Sequence, residues 1–165
     1  MRALLHLQLT DADGRVLAER RAHNRVMTSG AQLIASLFSG TGGPITHMAV
    51  GTSDAGTDDV AITALTNDDA NGEPLTGDTT AALPPAAFTT TTVPERRVVR
   101  VRVRGTLAAA AAVGTIREAG LVSQGDAGTV LYNRVVFAPI VKGDDHELTL
   151  FWDVDFPFGD LQWLV

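Results

Sequence analysis

Residues 99–104 read Val-Arg-Val-Arg-Val-Arg, an alternation of one apolar and one charged side chain. Successive side chains of a β-strand point to opposite faces, so this period of two predicts a strand with its valines on one face and its arginines on the other. Valine is also a good strand former. The arginine stripe of this strand consists of Arg100, Arg102 and Arg104.

Strand patterns continue after the arginine stripe. They cover residues 115–122, 129–138 and 147–156, with Gly-containing turns between them, and Pro139 is expected to end the middle strand. Four consecutive strands joined by such turns are typical of a β-sandwich. The sequence therefore predicts a mainly β fold, an antiparallel β-sandwich.

The N-terminal part adds a hairpin and one short helix. Leucines alternate with polar residues over 5–9, a turn follows, and residues 16–20 return the chain. Residues 29–38 predict a helix that Thr28 or Ser29 caps. Its apolar face is formed by Leu33, Ile34, Leu37 and Phe38.

A single β-rich domain over residues 1–165 is consistent with the length of the chain. Residues 45–50 predict a short strand, and the following segment, 52–94, is rich in Thr, Ala, Asp, Gly and Pro. A loop of that length is unusual in a compact domain unless it has a function. We therefore interpret residues 52–94 as an extended loop or assembly arm.

Composition excludes several classes of protein. The chain has no cysteine, so disulfides and thiolate metal sites are absent, and its net charge of −6 disfavours a nucleic-acid partner. It has no apolar run of about 18 residues, which disfavours a membrane partner. The N-terminal apolar stretch is interrupted by His6 and Gln8, so we do not interpret it as a signal peptide.

Catalytic and metal-binding motifs are weak. Residues 51–56 contain a Ser but lack the spacing of a nucleophile elbow, and residues 11–14 lack the remaining ligands of a calcium loop. His47 has aspartates near it but no second His close in sequence, so we interpret it as a partly buried strand residue. We predict a protein that is not an enzyme and has no cofactor, no metal and no catalytic residue.

Charged side chains within the strands are the candidate interface residues. The arginine stripe can bind phosphate or an anionic glycan, but pairing with carboxylates of a neighbouring strand or subunit is favoured. Candidate partners are Glu118, Asp153 and Asp155. Because adjacent strand residues face opposite ways, Arg117 or Glu118 is expected to face a core or an interface and to need a partner there. The predicted interface residues are Arg100, Arg102, Arg104, Arg117, Glu118 and Trp163.

Four pieces of the chain are similar to a known family. They resemble stretches of small tailed-phage virion proteins of the tail-collar and tail-fibre-adaptor kind. The four pieces are residues 45–52 (Ile-Thr-His-Met-Ala-Val-Gly-Thr) with the loop that follows them, 114–121 (Gly-Thr-Ile-Arg-Glu-Ala-Gly-Leu), 131–137 (Leu-Tyr-Asn-Arg-Val-Val-Phe) and 147–152 (Glu-Leu-Thr-Leu-Phe-Trp). Parts of contractile injection systems are also similar. Residues 65–69 only approximate the acidic segment of the fibre proteins, and the chain lacks their long shaft.

The resemblance implies an adaptor, baseplate, collar or neck subunit of a phage tail or related particle. Such a subunit is made in the bacterial cytoplasm and forms a homo-oligomer, a ring or trimer, with other particle subunits as partners. The alternative is a carbohydrate-binding module that recognises a host receptor. Sugar sites usually present exposed aromatic rings, but aromatic residues make up only 5% of this chain and Trp152 lies in a core-like strand, which leaves Trp163 as the best candidate.

Overall fold

The computed structural model describes residues 2–159. Over these residues the predicted mainly β class is confirmed, with ten strands and one α-helix, α1 (Thr28–Phe38). Two short 3-10 turns, Pro85–Ala87 and Pro94–Arg96, flank the fifth strand. The strands are β1 (Arg2–Thr10), β2 (Val16–Val26), β3 (His47–Gly51), β4 (Thr80–Ala82), β5 (Phe88–Val93), β6 (Val98–Leu107), β7 (Gly114–Gly125), β8 (Gly128–Leu131), β9 (Asn133–Lys142) and β10 (Glu147–Pro157).

The strands form one continuous antiparallel sheet in the order β4-β3-β7-β9-β2-β1-β10-β6-β5, with β8 paired to β7. We call β2, β1, β10, β6 and β5 the ladder half, and β4, β3, β7, β8 and β9 the loop half. The halves are joined through β2 and β9 by only two residue pairs, Arg25 with Arg134 and Val26 with Asn133. The sheet curls into a half-barrel, and β4 approaches β6 across the interior.

Both halves contribute to one core. Leu5 and Trp152 of the ladder half and Met48 and Leu121 of the loop half belong to the same buried cluster. In the ladder half the alternation with polar residues explains this burial, because every second side chain points inward, whereas β3 and β7 are buried on both faces and Ala49 and Val122 belong to a second cluster. Gly105 lets the halves come close, since a Cβ atom there would lie 2.5 Å from the Met48 sulfur.

The predicted N-terminal hairpin is confirmed, and its strands are longer than expected. Leu5 pairs with Ala22 and Leu9 with Ala18, and the turn is closed by a hydrogen bond from the Asp11 N–H to the Arg15 carbonyl, 3.0 Å. The strands predicted over 115–122 and 147–156 are confirmed as parts of β7 and β10.

The predicted end of a strand at Pro139 is wrong. The strand expected over 129–138 is instead divided at Tyr132 into β8 and β9, and β9 continues through Pro139. The ladder between β7 and β9 is interrupted where the pairing passes from Ile116 with Ile140 to Glu118 with Val136, so Pro139 lies within a bulge of β9. A proline lacks an N–H, so it is tolerated where the ladder needs no donor.

Helix α1 is confirmed, but two details of the prediction are wrong. Its N-cap is Met27, without a side-chain cap, because the Ser29 hydroxyl instead donates to the Leu131 carbonyl at 2.6 Å. Phe38 is 96% exposed although we expected it on the buried face. The first half of the helix makes the close contact, since Gly30 lies directly against the Tyr132 carbonyl, and the last turn extends beyond the sheet. None of the helices within residues 2–159 has the length and hydropathy of a membrane span.

The segment 52–94 divides into two parts. Residues 80–82 and 88–93 are strands β4 and β5, so these stretches are not loop. Residues 52–79 return to the loop half, where Thr52 and Leu75 are buried and Thr76 bridges to Val113. The role of the segment in assembly stays a prediction.

Candidate interaction surface

The arginine stripe lies on the outer face of the ladder half. Each of its members is directly opposite a residue of β10, because β6 and β10 pair without a bulge: Arg100 with Asp155, Arg102 with Asp153 and Arg104 with Phe151. The alternating valines face the interior. We call these three cross-strand pairs the outer ladder.

Two of the three pairs are two-pronged ion pairs. Arg102 donates from Nε and Nη2 to the two carboxylate oxygens of Asp153 at 2.7 and 2.8 Å, and Arg100 binds Asp155 in the same way at 2.7 and 3.0 Å. Arg96 adds a contact of 3.2 Å to Asp155. The predicted pairing with Asp153 and Asp155 is confirmed, whereas Glu118, the third candidate partner, lies in the other half of the sheet.

These ion pairs change the proton affinity of their members. The hydrogen bond from Arg102 holds the pKa of Asp153 below its ordinary value, against the opposing effect of burial. The hydrogen bond with Asp155 raises the pKa of Arg100, and that with Asp153 raises the pKa of Arg102. The Arg102 side chain is 57% exposed. Because water screens an ion pair at such a position, the pair contributes little to the stability of the fold.

The third pair of the outer ladder belongs to a different kind of row. The guanidinium of Arg104 lies 5.8 Å from the centre of the Phe151 ring. The His6 ring stacks on Phe151 with a distance of 5.8 Å between ring centres. On β2, Arg21 is the residue directly opposite His6. We call Arg21, His6, Phe151 and Arg104 the cationic row. Arg21 and Arg104 form no ion pair within residues 2–159. A groove of about 360 Å³ beside the row is lined by three of its members, Arg21, His6 and Phe151, and by Leu4, Gln8, Arg102 and Asp153.

Strand β5 is the free edge of the ladder half. Its six residues pair with β6 alone among the described strands, and the four threonines from Thr89 to Thr92 are exposed. In an antiparallel strand every second residue directs its N–H and C=O away from the neighbouring strand. The outer side of β5 is therefore a row of main-chain donors and acceptors open to solvent.

Arg117 and Glu118 lie in the loop half, far along the sheet order from the arginine stripe. Glu118 is 1% exposed and lies on the face of the sheet that residues 52–79 cover, so it is the one of the two adjacent residues that is buried and needs a partner. Its carboxylate accepts hydrogen bonds from Arg134 Nε at 2.5 Å and from the Thr66 N–H at 2.7 Å. Arg117 is half-buried and also contacts this segment, with Nη1 3.7 Å from the carboxylate of Asp54.

Arg134 was missed by the sequence reasoning. It is 5% exposed, and its remaining nitrogens donate to the carbonyls of Ala55 at 2.9 Å and Gly56 at 3.2 Å. The pair of Glu118 and Arg134 therefore attaches the loop after β3 to the sheet at three points. The sequence signal that could have identified Arg134 is the one used for Arg117 and Glu118, namely a charged residue within an otherwise apolar strand pattern.

A second buried cation lies at the end of β9. Lys142 is 1% exposed, and its Nζ donates to the Ala109 carbonyl at 2.6 Å. Burial lowers the pKa of Lys142, although Glu147 and two aspartates nearby oppose that effect. Because it is enclosed and bonded to a carbonyl, we assign Lys142 a structural role in holding the turn after β6.

The structure thus separates the predicted interface residues. It brings Arg100, Arg102 and Arg104 together on one face and places Arg117 and Glu118 in the other half, whereas Trp163 lies outside the described residues. Sequence reasoning did not identify Arg21, His6 or Phe151, which come together only through the strand register.

The ladder half combines exposed guanidinium groups, a partly buried aromatic ring and an open strand edge. His47, the residue considered for a metal, is half-buried and shares a 2.9 Å hydrogen bond with the Thr46 hydroxyl. Comparison of the chain with protein-family models, with curated proteins and with solved structures finds no match.

Proposed function

We propose that this chain is a structural, non-enzymatic subunit that assembles with copies of itself and with other protein subunits. The observation that carries this proposal is the open edge of β5, at the end of a ten-stranded sheet. An exposed edge strand can accept a strand from another chain, because its unpaired N–H and C=O groups repeat at the spacing of a ladder.

The composition of β5 supports this role. Natural proteins usually protect an edge strand with charged residues, proline or a bulge. Strand β5 reads Phe-Thr-Thr-Thr-Thr-Val, and its pairing with β6 is regular. Threonine favours strands, and prolines at positions 85 and 94 limit the open edge to six residues. A short, regular edge of defined length suits pairing with one neighbour.

A test of the β5 edge uses two proline variants, Thr90→Pro and Thr91→Pro. Adjacent residues point their N–H groups in opposite directions, so one variant loses a bond to β6 and the other removes only an outward donor. We expect the outward variant to unfold near the wild-type temperature and to lose assembly, as measured by light scattering coupled to size-exclusion chromatography.

The two variants serve as matched controls for each other. The variant that loses a bond to β6 is expected to unfold at a lower temperature, and this identifies which one points outward. If wild-type protein is a monomer at high concentration, or if both variants assemble as the wild type does, the proposal is wrong.

The narrower assignment is a subunit of a phage tail or a related injection particle, located in the virion or assembled particle. It is supported by the resemblance of residues 45–52, 114–121, 131–137 and 147–152. Within such a particle we propose an adaptor, baseplate, collar or neck position and a ring or trimer. Mass spectrometry of particles purified from the strain that encodes the chain tests this, and absence of the chain from them would contradict it.

We also propose that the two halves of the sheet act as the two layers of a β-sandwich. Support comes from Gly105 of the ladder half, which lies against Met48 of the loop half, and from the strand pairing between the halves, which is limited to two residue pairs among the described residues. Cross-linking of paired cysteines at Gly105 and Leu83 would test the facing arrangement; failure to form the bridge under oxidising conditions would contradict it.

The alternative of a carbohydrate-binding module has less support. Trp152 is fully buried, and the Phe151 ring has His6 on one side and Arg104 on the other, so little of its face is free to stack on a sugar. A glycan array in which the protein binds a defined sugar would favour this alternative.

A further inference from the structure

We infer that the cationic row is the docking site for an acidic turn of a second copy of this chain, residues 68–73. The inference rests on the proposed self-assembly, and it uses a surface other than the β5 edge. Its basis is a pair of guanidinium groups without ion pairs on one half of the molecule and a turn of carboxylates without ion pairs on the other, both among the described residues.

The cationic row differs from the rows beside it in its charge balance. On one side Arg102 is neutralised by Asp153, and on the other Gln8 donates to Glu19 at 2.6 Å. Within the row, His6 Nε2 lies 3.7 Å from the Glu19 carboxylate. Arg21 and Arg104 are exposed and form no ion pair within residues 2–159. The row therefore presents one guanidinium group at each end, with the stacked His6 and Phe151 rings between them, an arrangement that favours carboxylates on a compact segment.

The complementary charge comes from residues 52–79 of the same chain. This segment contains seven carboxylates and neither Lys nor Arg. Asp54 and Asp58 already contact Arg117 and Arg25 within the fold. The turn Asp-Asp-Ala-Asn-Gly-Glu over 68–73 holds three of the remaining carboxylates, and none of these three forms an ion pair among the described residues. We call it the acidic turn.

The acidic turn is held in place before any partner binds. Thr52, which is buried, accepts from the Asp68 N–H at 3.1 Å and from the Asn71 side chain at 3.2 Å. The base of the turn is closed by Asn67, whose side chain makes two hydrogen bonds with the main chain of Leu75. Asp69 and Glu73 are exposed, so docking would order few additional groups, which lowers its entropic cost.

The position of the two surfaces sets the symmetry of the contact. The cationic row lies on the outer face of the ladder half, and the acidic turn lies beyond β3 in the loop half. Contact between different surfaces of two identical copies is heterologous, so each copy can bind one neighbour by its row and another by its turn. Such a contact forms a ring when the rotation closes and a filament when it does not.

The experiment uses two double variants of the full chain, Arg21→Glu with Arg104→Glu, and Asp69→Arg with Glu73→Arg. Sedimentation velocity at low salt is expected to show that each variant alone associates at least about tenfold more weakly than wild type, since like charges then face each other. An equimolar mixture is expected to regain assembly, because the reversed row fits the reversed turn. Raising the salt to about 0.5 M should weaken the wild-type contact.

The controls separate a lost contact from a lost fold. Arg15→Glu with Arg97→Glu makes the same change in net charge away from the row and is expected to assemble as the wild type does. The neutral variant Arg21→Gln with Arg104→Gln, checked by circular dichroism, should weaken association to a smaller degree than charge reversal.

If wild type assembles and the row variants assemble equally well, the docking site is wrong and the proposed function stands. If wild type does not self-associate, both are wrong.

Discussion

The two halves of the sheet use the same kind of ion pair in opposite surroundings. In the ladder half Arg102 binds Asp153 at 2.7 Å on the outer face, where the arginine is 57% exposed. In the loop half Arg134 binds Glu118 at 2.5 Å with both side chains at most 5% exposed. The distances are alike, so the difference between the pairs lies in burial.

This difference indicates what each half does. Exposed pairs are screened by water and stabilise a fold little, so the outer ladder is a patterned surface that a partner can contact. A buried pair is costly to break, because the remaining charge stays out of water. The buried pair in the loop half therefore attaches the loop carrying the acidic turn to the sheet.

The largest expected effect comes from breaking the buried pair. Glu118→Gln leaves the Arg134 guanidinium enclosed without a carboxylate, and we expect a loss of about 3–5 kcal/mol in the free energy of unfolding. Urea denaturation followed by circular dichroism measures this. Hydrogen exchange of the Thr66 amide should increase as well, since that N–H donates to Glu118.

The matched control is Arg102→Gln in the ladder half. Removal of this exposed partner is expected to cost at most about 1 kcal/mol. Equal losses in the two variants would contradict the contrast between the halves.

An intermediate effect is expected where the halves meet. In Gly105→Ala the new Cβ would lie 2.5 Å from the Met48 sulfur and 2.9 Å from a Leu83 methyl. We expect a loss of about 1–3 kcal/mol through overpacking, measured as a lower thermal unfolding midpoint. Gly125→Ala is the control, because a Cβ there meets nothing within 4 Å. A control variant as unstable as Gly105→Ala would show that loss of glycine itself, and not the contact between halves, is responsible.

The smallest effect is the pH dependence of the outer ladder. The pKa of Asp153 in the folded protein is lowered from its ordinary value of 3.8. Its pairing therefore stabilises the fold at pH values above 3.8. This stabilisation is lost as the pH falls below 3.8 and through the pKa of the folded protein. The difference in free energy of unfolding between wild type and Asp153→Asn should be constant near neutral pH and shrink in acid below 3.8. A difference that grows in acid would contradict the assignment.

Sequence patterns predicted β1, β2, β6 and β10 of the ladder half, because one face of that half is solvated and the alternation is clean, but they missed β5, which lies in the predicted arm. They failed at Pro139, where a bulge in β9 removes the need for a donor, and at Phe38, where the close contact of Gly30 decides which part of the helix is covered. Arg134 was not identified from the sequence because its partner Glu118 is on another strand.

The sequence by itself determined the mainly β class and the two faces of β6, since a period of two leaves a strand no other way to bury its valines. It also indicated that Glu118 or Arg117 needs a partner. Only the tertiary structure decided which residues meet across strands. The cationic row joins Arg21, His6, Phe151 and Arg104 through the register of four strands, and register depends on long-range pairing and packing that no local pattern contains.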